Sequence, residues 1–141
     1  MFRGILPPTV TFFKDDGSLD TETNRTHIDF LIESGVHGLY VLGTTGEFMH
    51  MNLKEREQHA AEVVQHVRGR VPVVLGTGTP STRETIRLSR HAQGVGADAV
   101  AIITPYFWTL SEREVIAHLS SVANAVDIPV IVYNFPAYSN Y

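Results

Sequence analysis

The chain has 141 residues, 43% of them hydrophobic, with a formal net charge of −4; this is material for one real core and gives no electrostatic basis for binding nucleic acid or an anionic membrane surface. It holds no cysteine, which excludes disulfides, thiol chemistry and Cys-ligated zinc. The start, Met1-Phe2-Arg3-Gly4-Ile5, lacks the apolar core of a signal peptide, and no apolar run approaches the ~20 residues of a bilayer span, so a cytoplasmic location is the expectation.

The first strand candidate is Ile5 to Phe13, with an irregular start at Pro7-Pro8 and the strand proper at Thr9–Phe13. Lys14-Asp15-Asp16-Gly17 is a turn. Asp20 caps a helix to about Ser34, with Ile28, Leu31 and Ile32 inward and Gly35 as its stop. Gly38–Leu42 is the second strand. Asn52 and Glu55 form a capping-box signature for the next helix. Its inner side carries Leu53, Ala60, Val63, Val64 and Val67, and Lys54, Glu55, Arg56, Glu62 and Arg68 are the solvated remainder. Val71–Gly76 is a third strand, apolar throughout and therefore buried on both faces, as in a parallel sheet. Ser81 with Glu84 and Ser111 with Glu114 cap two further helices, one running to about Val95 and one to near Val126. The last of these turns Val115, Ile116, Leu119, Val122 and Ala123 inward. Ala99–Ile103 and Ile128–Tyr133 are the fourth and fifth strands, and Asn134-Phe135-Pro136 turns out of the fifth.

Strands alternating with capped helices at about 30 residues per unit indicate a parallel α/β sheet. Two architectures fit: a doubly wound open sheet, or part of a (β/α)₈ barrel. An open five-stranded sheet would add a closing helix after Tyr133, and a complete barrel needs ~250 residues. The expected fold is therefore the N-terminal part of a (β/α)₈ barrel, about four βα units plus a fifth strand. Residues 1–141 would form one incomplete domain.

Active residues of parallel α/β folds gather at the carboxyl ends of the strands. Those ends carry Thr11, Gly43-Thr44-Thr45-Gly46-Glu47, Gly76-Thr77-Gly78-Thr79, Thr104-Pro105-Tyr106 and Tyr133-Asn134. Two glycines around two threonines let the backbone curl so that N–H groups and hydroxyls meet a carboxylate or phosphate. A plain strand-to-helix turn uses the same residues for geometry alone. The set has no histidine, aspartate pair or serine elbow, which argues against metal hydrolysis and a Ser-His-Asp triad. It suits an anionic carbonyl substrate worked on by a phenol as acid and base. Tyr133 is either that phenol or a packed core or interface tyrosine. Tyr106, Phe107 and Trp108 read first as packing or a subunit contact, and Glu47 as an anchor for its own loop. Gly76-Thr77-Gly78 lacks the third glycine of a dinucleotide fingerprint. His59 and His66 are too far apart on one helix to share a metal, and solvated positions account for the other histidines.

Gly43-Thr44-Thr45-Gly46-Glu47 together with Tyr133-Asn134-Phe135-Pro136 resembles the dihydrodipicolinate synthase / N-acetylneuraminate lyase family of pyruvate-dependent class I aldolases. Gly76-Thr77-Gly78 and Thr104-Pro105-Tyr106 agree with it. The resemblance implies a TIM barrel, a homotetramer when complete, and no cofactor or metal. It implies a Schiff base between pyruvate or another 2-oxo acid and a lysine at the end of a sixth strand, beyond this chain. Thr44 and Thr45 would bind the carboxylate, and Tyr133 would move the proton with Thr44 in its relay. Thr45, Gly46 and Tyr106 are the expected substrate-binding residues. Three departures matter. The lysines present, Lys14 in a polar turn and Lys54 on a solvated helix start, are poor nucleophiles, so this chain alone is expected to be inactive. Phe107 stands where the synthases carry a second relay tyrosine, leaving that relay broken or replaced by Tyr106. Tyr138 stands where they carry an arginine for the second substrate's carboxylate. A lyase for a 2-keto-3-deoxy sugar acid, with a neutral aldehyde partner, fits this set. A dihydrodipicolinate synthase of lysine biosynthesis is the alternative, as are a non-catalytic half-barrel binding module and a nucleotide binder.

Overall fold

The computed structural model describes residues 2–139, except for the side chains of residues 138 and 139. Helix α1 (Thr21–Glu33) leads into β1 (Leu39–Val41), α2 (Leu53–Val67), β2 (Val73–Gly76), α3 (Thr82–Val95), β3 (Ala99–Ile103), α4 (Glu112–Ala123), β4 (Val130–Tyr133) and a short α5 (Pro136–Ser139). The strands form one parallel sheet in chain order, β1-β2-β3-β4. The helices pack in the same order, α1 on α2, α2 on α3 and α3 on α4. A doubly wound sheet reverses its strand order and puts helices on both faces. Here neither happens, and the arrangement is the wall of a (β/α) barrel.

The two faces of the sheet confirm this. Leu39, Val41, Val73, Leu75 and Val100 join the large core beneath the helices with Ile28, Ala60, Val63, Val67 and Ala92. Each buried Val, Leu or Ile among them is worth ~1.5–3 kcal/mol. The alternate residues Val74, Ala99 and Ala101 form a small second cluster with Phe2, Leu6 and Tyr40, on the inner side of the curved wall.

The expected caps are present. Asp20 accepts from the Thr23 N–H at 3.1 Å. Asn52 and Glu55 close a reciprocal capping box at 2.7 and 3.1 Å. Ser111 and Glu114 make another, whereas at α3 only the Ser81 hydroxyl takes part. Gly35 and Gly96 stop α1 and α3 in the left-handed region.

Two expectations are corrected. Residues 9–13 do not form a regular strand: one parallel bridge joins Pro8 to Tyr40, and Phe13 makes a single antiparallel bridge to Leu19. Pro7 and Pro8 have no N–H to give to a ladder, so the segment is held through the Tyr40 N–H to Pro7 O (3.0 Å) and the Thr9 N–H to Tyr40 O (2.9 Å). In α4 the buried positions are Val115, His118 and Val122, while Ile116 is 55% exposed and Ala123 is exposed too. That helix packs against α3 on one flank, so its inward stripe is narrower than its apolar content.

Candidate active site

The parallel register carries the strand ends to one rim. Val41 aligns with Leu75, Gly76 with Ala101, and Ile103 with Tyr133. The turn after β1 and the end of β4 thus share that rim. Beyond β1 the chain makes two successive 3₁₀ turns, Thr44–Gly46 and Phe48–His50. They are tied by Gly46 N–H to Gly43 O (3.0 Å), Glu47 N–H to Thr44 O (3.1 Å) and the Thr11 hydroxyl to Gly46 O (2.8 Å). The expected glycine curl takes a different form. The left-handed residues are Leu42 (φ 60°) and Glu47 (φ 55°), not Gly43 or Gly46. The two glycines supply space instead. A Cβ on Gly43 would sit 2.9 Å from the Tyr40 ring, and one on Gly46 would sit 3.0 Å from Thr9 O.

Thr44 and Thr45 are exposed at the top of this turn, and Gly46 is buried beneath them. Thr44 lines a cavity of about 420 Å³ with Glu47, Phe48, His50, Tyr106 and Phe135; Thr45 and Tyr133 are not among its wall residues. Glu47 is bonded within its own loop through its backbone, its N–H donating to Thr44 O (3.1 Å) and its C=O accepting from the His50 N–H (2.9 Å). Its carboxylate faces the exposed His50 at 3.6 Å. Tyr106 is half-buried on the cavity wall, edge-on to Phe48 with ring centroids 6.3 Å apart. Burial holds its phenol above the ordinary range, while Arg56 pulls it down. Phe107 (82% exposed, φ 80°) and Trp108 stand out as an edge-to-face pair at 5.4 Å.

Tyr133 is half-buried. Its ring meets Tyr40 edge-to-face (6.2 Å, 77°) and Phe135 at 5.9 Å. Among the described residues no hydrogen bond joins Tyr133 to Thr44. The two expected partners share the rim, and their relay is not closed. The side chain of Tyr138 lies outside the described residues.

Arg56, read from sequence as solvated, is 4% exposed. Its guanidinium donates to Gly76 O (3.0 Å) and Gly78 O (3.2 Å) and lies 4.9 Å over the Phe48 ring. Desolvation draws it down to about 10. It braces the Gly76–Gly78 segment against the turn that carries Thr44. Positions 56, 60, 63 and 67 lie on one helical stripe, so the period marked it as inward even though its charge pointed outward. His118, also expected to be solvated, is buried, with its Nδ1 2.9 Å from the Thr82 hydroxyl. Gly76 and Gly78 serve close packing: a Cβ on Gly76 would collide with the Leu42 carbonyl, and one on Gly78 would lie 2.8 Å from Ile103. Both lysines, Lys14 and Lys54, are exposed. Among the described residues no three His, Asp or Glu side chains are grouped to hold a metal, and no helix is long and apolar enough to cross a membrane.

The parallel barrel wall thus carries hydroxyls, backbone donors and a phenol at its carboxyl rim, the end at which barrel enzymes place their sites. The chain belongs to the dihydrodipicolinate synthetase family, whose model matches residues 1–141. It is 47% identical over 137 residues to a protein of Escherichia coli (strain K12) named "Putative 2-dehydro-3-deoxy-D-gluconate aldolase YagE", covering 97% of this chain and 45% of that one. It is also 47% identical over 135 residues to "Probable 2-dehydro-3-deoxy-D-pentonate aldolase YjhH" of the same organism, covering 96% and 45%. The crystal structure of YagE from E. coli K12 in complex with pyruvate superposes with a TM-score of 0.97 at 46% identity, over 99% of this chain and 47% of that one. The chain spans about half the length of these relatives.

Proposed function

We propose that the protein containing this chain is a pyruvate-dependent class I aldolase that cleaves or forms a 2-keto-3-deoxy sugar acid through a Schiff base. One observation carries the reading. The Thr44 turn and Tyr133 meet across a single aromatic ring: Tyr40 lies 2.9 Å from the Cβ place of Gly43 and 6.2 Å, centroid to centroid, from Tyr133. The two motifs therefore approach each other at one rim.

In this reading the Thr44 and Thr45 hydroxyls and the N–H groups of their turn hold the 2-oxo acid carboxylate, each charge-assisted bond being worth ~1.5–3 kcal/mol. Tyr106 supplies a phenol edge to the cavity wall beside Phe48 and Phe135. Tyr133 takes the proton from the hydroxyl of the bond being cleaved and returns it to carbon in the three-carbon product. The electron pair of the broken C–C bond becomes the C=C bond of an enamine, while the C=N pair of the protonated imine moves onto its nitrogen. The imine lysine is assigned outside residues 1–141, because Lys14 and Lys54 both face water and a Schiff-base lysine is activated by burial. The missing hydroxyl at Phe107 and the tyrosine at position 138 support a neutral aldehyde partner. The reading also makes the whole protein a cytoplasmic homotetramer, with the Phe107–Trp108 pair on a subunit wall.

The test is pyruvate release. The whole protein, given a 2-keto-3-deoxy sugar acid, is expected to yield pyruvate in a lactate dehydrogenase–coupled assay. Turnover with pyruvate and aspartate semialdehyde instead, and none with sugar acids, would assign it to the synthases.

A further inference from the structure

Tyr40 links the two motifs without belonging to either. It is the residue of β1 that joins the inner cluster, while Leu39 and Val41 join the outer core. Its ring points along the strand toward the rim, with Cε1 2.9 Å and Cζ 3.1 Å from the Cβ place of Gly43. A glycine at 43 is what leaves room for it. Ala99 and Ala101, both small, share its cluster. Its edge contact with Tyr133 is of the favoured aromatic type.

The Tyr133 ring has two aromatic neighbours of different standing. Phe135 sits in the exit turn just before α5, whereas Tyr40 is fixed in the sheet, its N–H and C=O both bonded to the Pro7–Thr9 segment. With no described hydrogen bond from Tyr133 to Thr44, packing sets the direction in which the Tyr133 ring presents its hydroxyl. We propose that Tyr40 is a positioning residue for the Schiff-base reaction proposed above, on which this inference rests: its ring is the fixed wall that aims the Tyr133 phenol at the bound 2-oxo acid. Tyr40 is not itself the base. Burial above all pushes its phenol up to about 12, so it stays protonated through the working range. Aim matters at this scale, since a misplacement of ~1 Å at a reacting group costs ~10²-fold in rate.

The test uses the whole protein. Tyr40→Phe keeps the ring and is expected to hold kcat within about threefold. Tyr40→Leu removes the flat wall and is expected to lower kcat at least tenfold, with KM for the 2-oxo acid and the yield of borohydride-trapped pyruvate adduct within twofold. In a Tyr133→Phe background Tyr40→Leu is expected to have little further effect, because Tyr40 acts through Tyr133. A wild-type kcat in Tyr40→Leu, an equal loss in Tyr40→Phe, or the same fold-loss in the Tyr133→Phe background would each overturn the proposal. If Tyr40→Leu does not fold, as judged by its melt, Tyr40→Met, with its flexible unbranched side chain, takes its place under the same criteria. Failure of the wild-type protein to form an adduct with pyruvate would instead strike the Schiff-base reading itself, before any Tyr40 variant is compared.

Discussion

Replacing Arg56 with methionine is the sharpest perturbation of the fold around the rim. The guanidinium satisfies the carbonyls of Gly76 and Gly78 at 3.0 and 3.2 Å and lies 4.9 Å over Phe48. Two carbonyls bonded to a charged donor contribute ~3–6 kcal/mol, and the contact over the ring contributes ~1–2 kcal/mol. Against this stands the cost of burying the cation. Its descent from 12.5 to about 10 corresponds to ~3 kcal/mol. Arg56→Met is therefore expected to lose ~2–4 kcal/mol, and Arg56→Lys about as much, since one ammonium cannot copy the planar fork. The assay is urea unfolding of the whole protein, with amide exchange at Phe48–Met51 as a local readout. Exchange there should accelerate, because Phe48 loses its partner. Many buried charges can be exchanged for apolar side chains without loss. An unchanged midpoint with unchanged exchange would show that desolvation cancels the bonds, and would refute this reasoning.

Burial draws the His59 imidazole from 6.5 down to about 4. The unfolded chain then takes up the proton first as pH falls, so this contribution to stability is complete above pH ~6.5 and lost down to pH ~4. It amounts to ~3 kcal/mol, and His59→Gln should flatten the slope of stability against pH in that window. Gly76→Ala sets a methyl group against the Leu42 carbonyl and is expected to cost ~1–3 kcal/mol, read as a lower unfolding midpoint. Thr45→Val should raise KM for pyruvate about tenfold, the loss of one bond to a carboxylate, with kcat little changed. Tyr133→Phe should lower kcat ~100-fold or more, the worth of a positioned acid–base group.

Elements whose signals are local were legible in the sequence. Asn52 with Glu55 and Ser111 with Glu114 declare helix starts by side chains three residues apart, and both close as capping boxes. The unbroken apolar run of β2 announced burial on both faces, and that strand is buried throughout. What depended on distant neighbours was not legible. Residues 9–13 have the composition of a strand, yet make isolated bridges. The left-handed backbone at Leu42 and Glu47 leaves no mark in residue type, because the packed surroundings impose it. Arg56 was misread because charge outweighed periodicity, and its acceptors lie 20 and 22 residues away. At the site, the shared rim of the Thr44 turn and Tyr133 followed from strand order. The ring between them did not, since nothing local distinguishes Tyr40 from an ordinary strand tyrosine.

Borohydride reduction of the whole protein in the presence of pyruvate, followed by peptide mass spectrometry, bears most directly on the proposed chemistry. A single pyruvate-derived adduct on one lysine outside residues 1–141 is expected. No adduct, or one on Lys14 or Lys54, would contradict it.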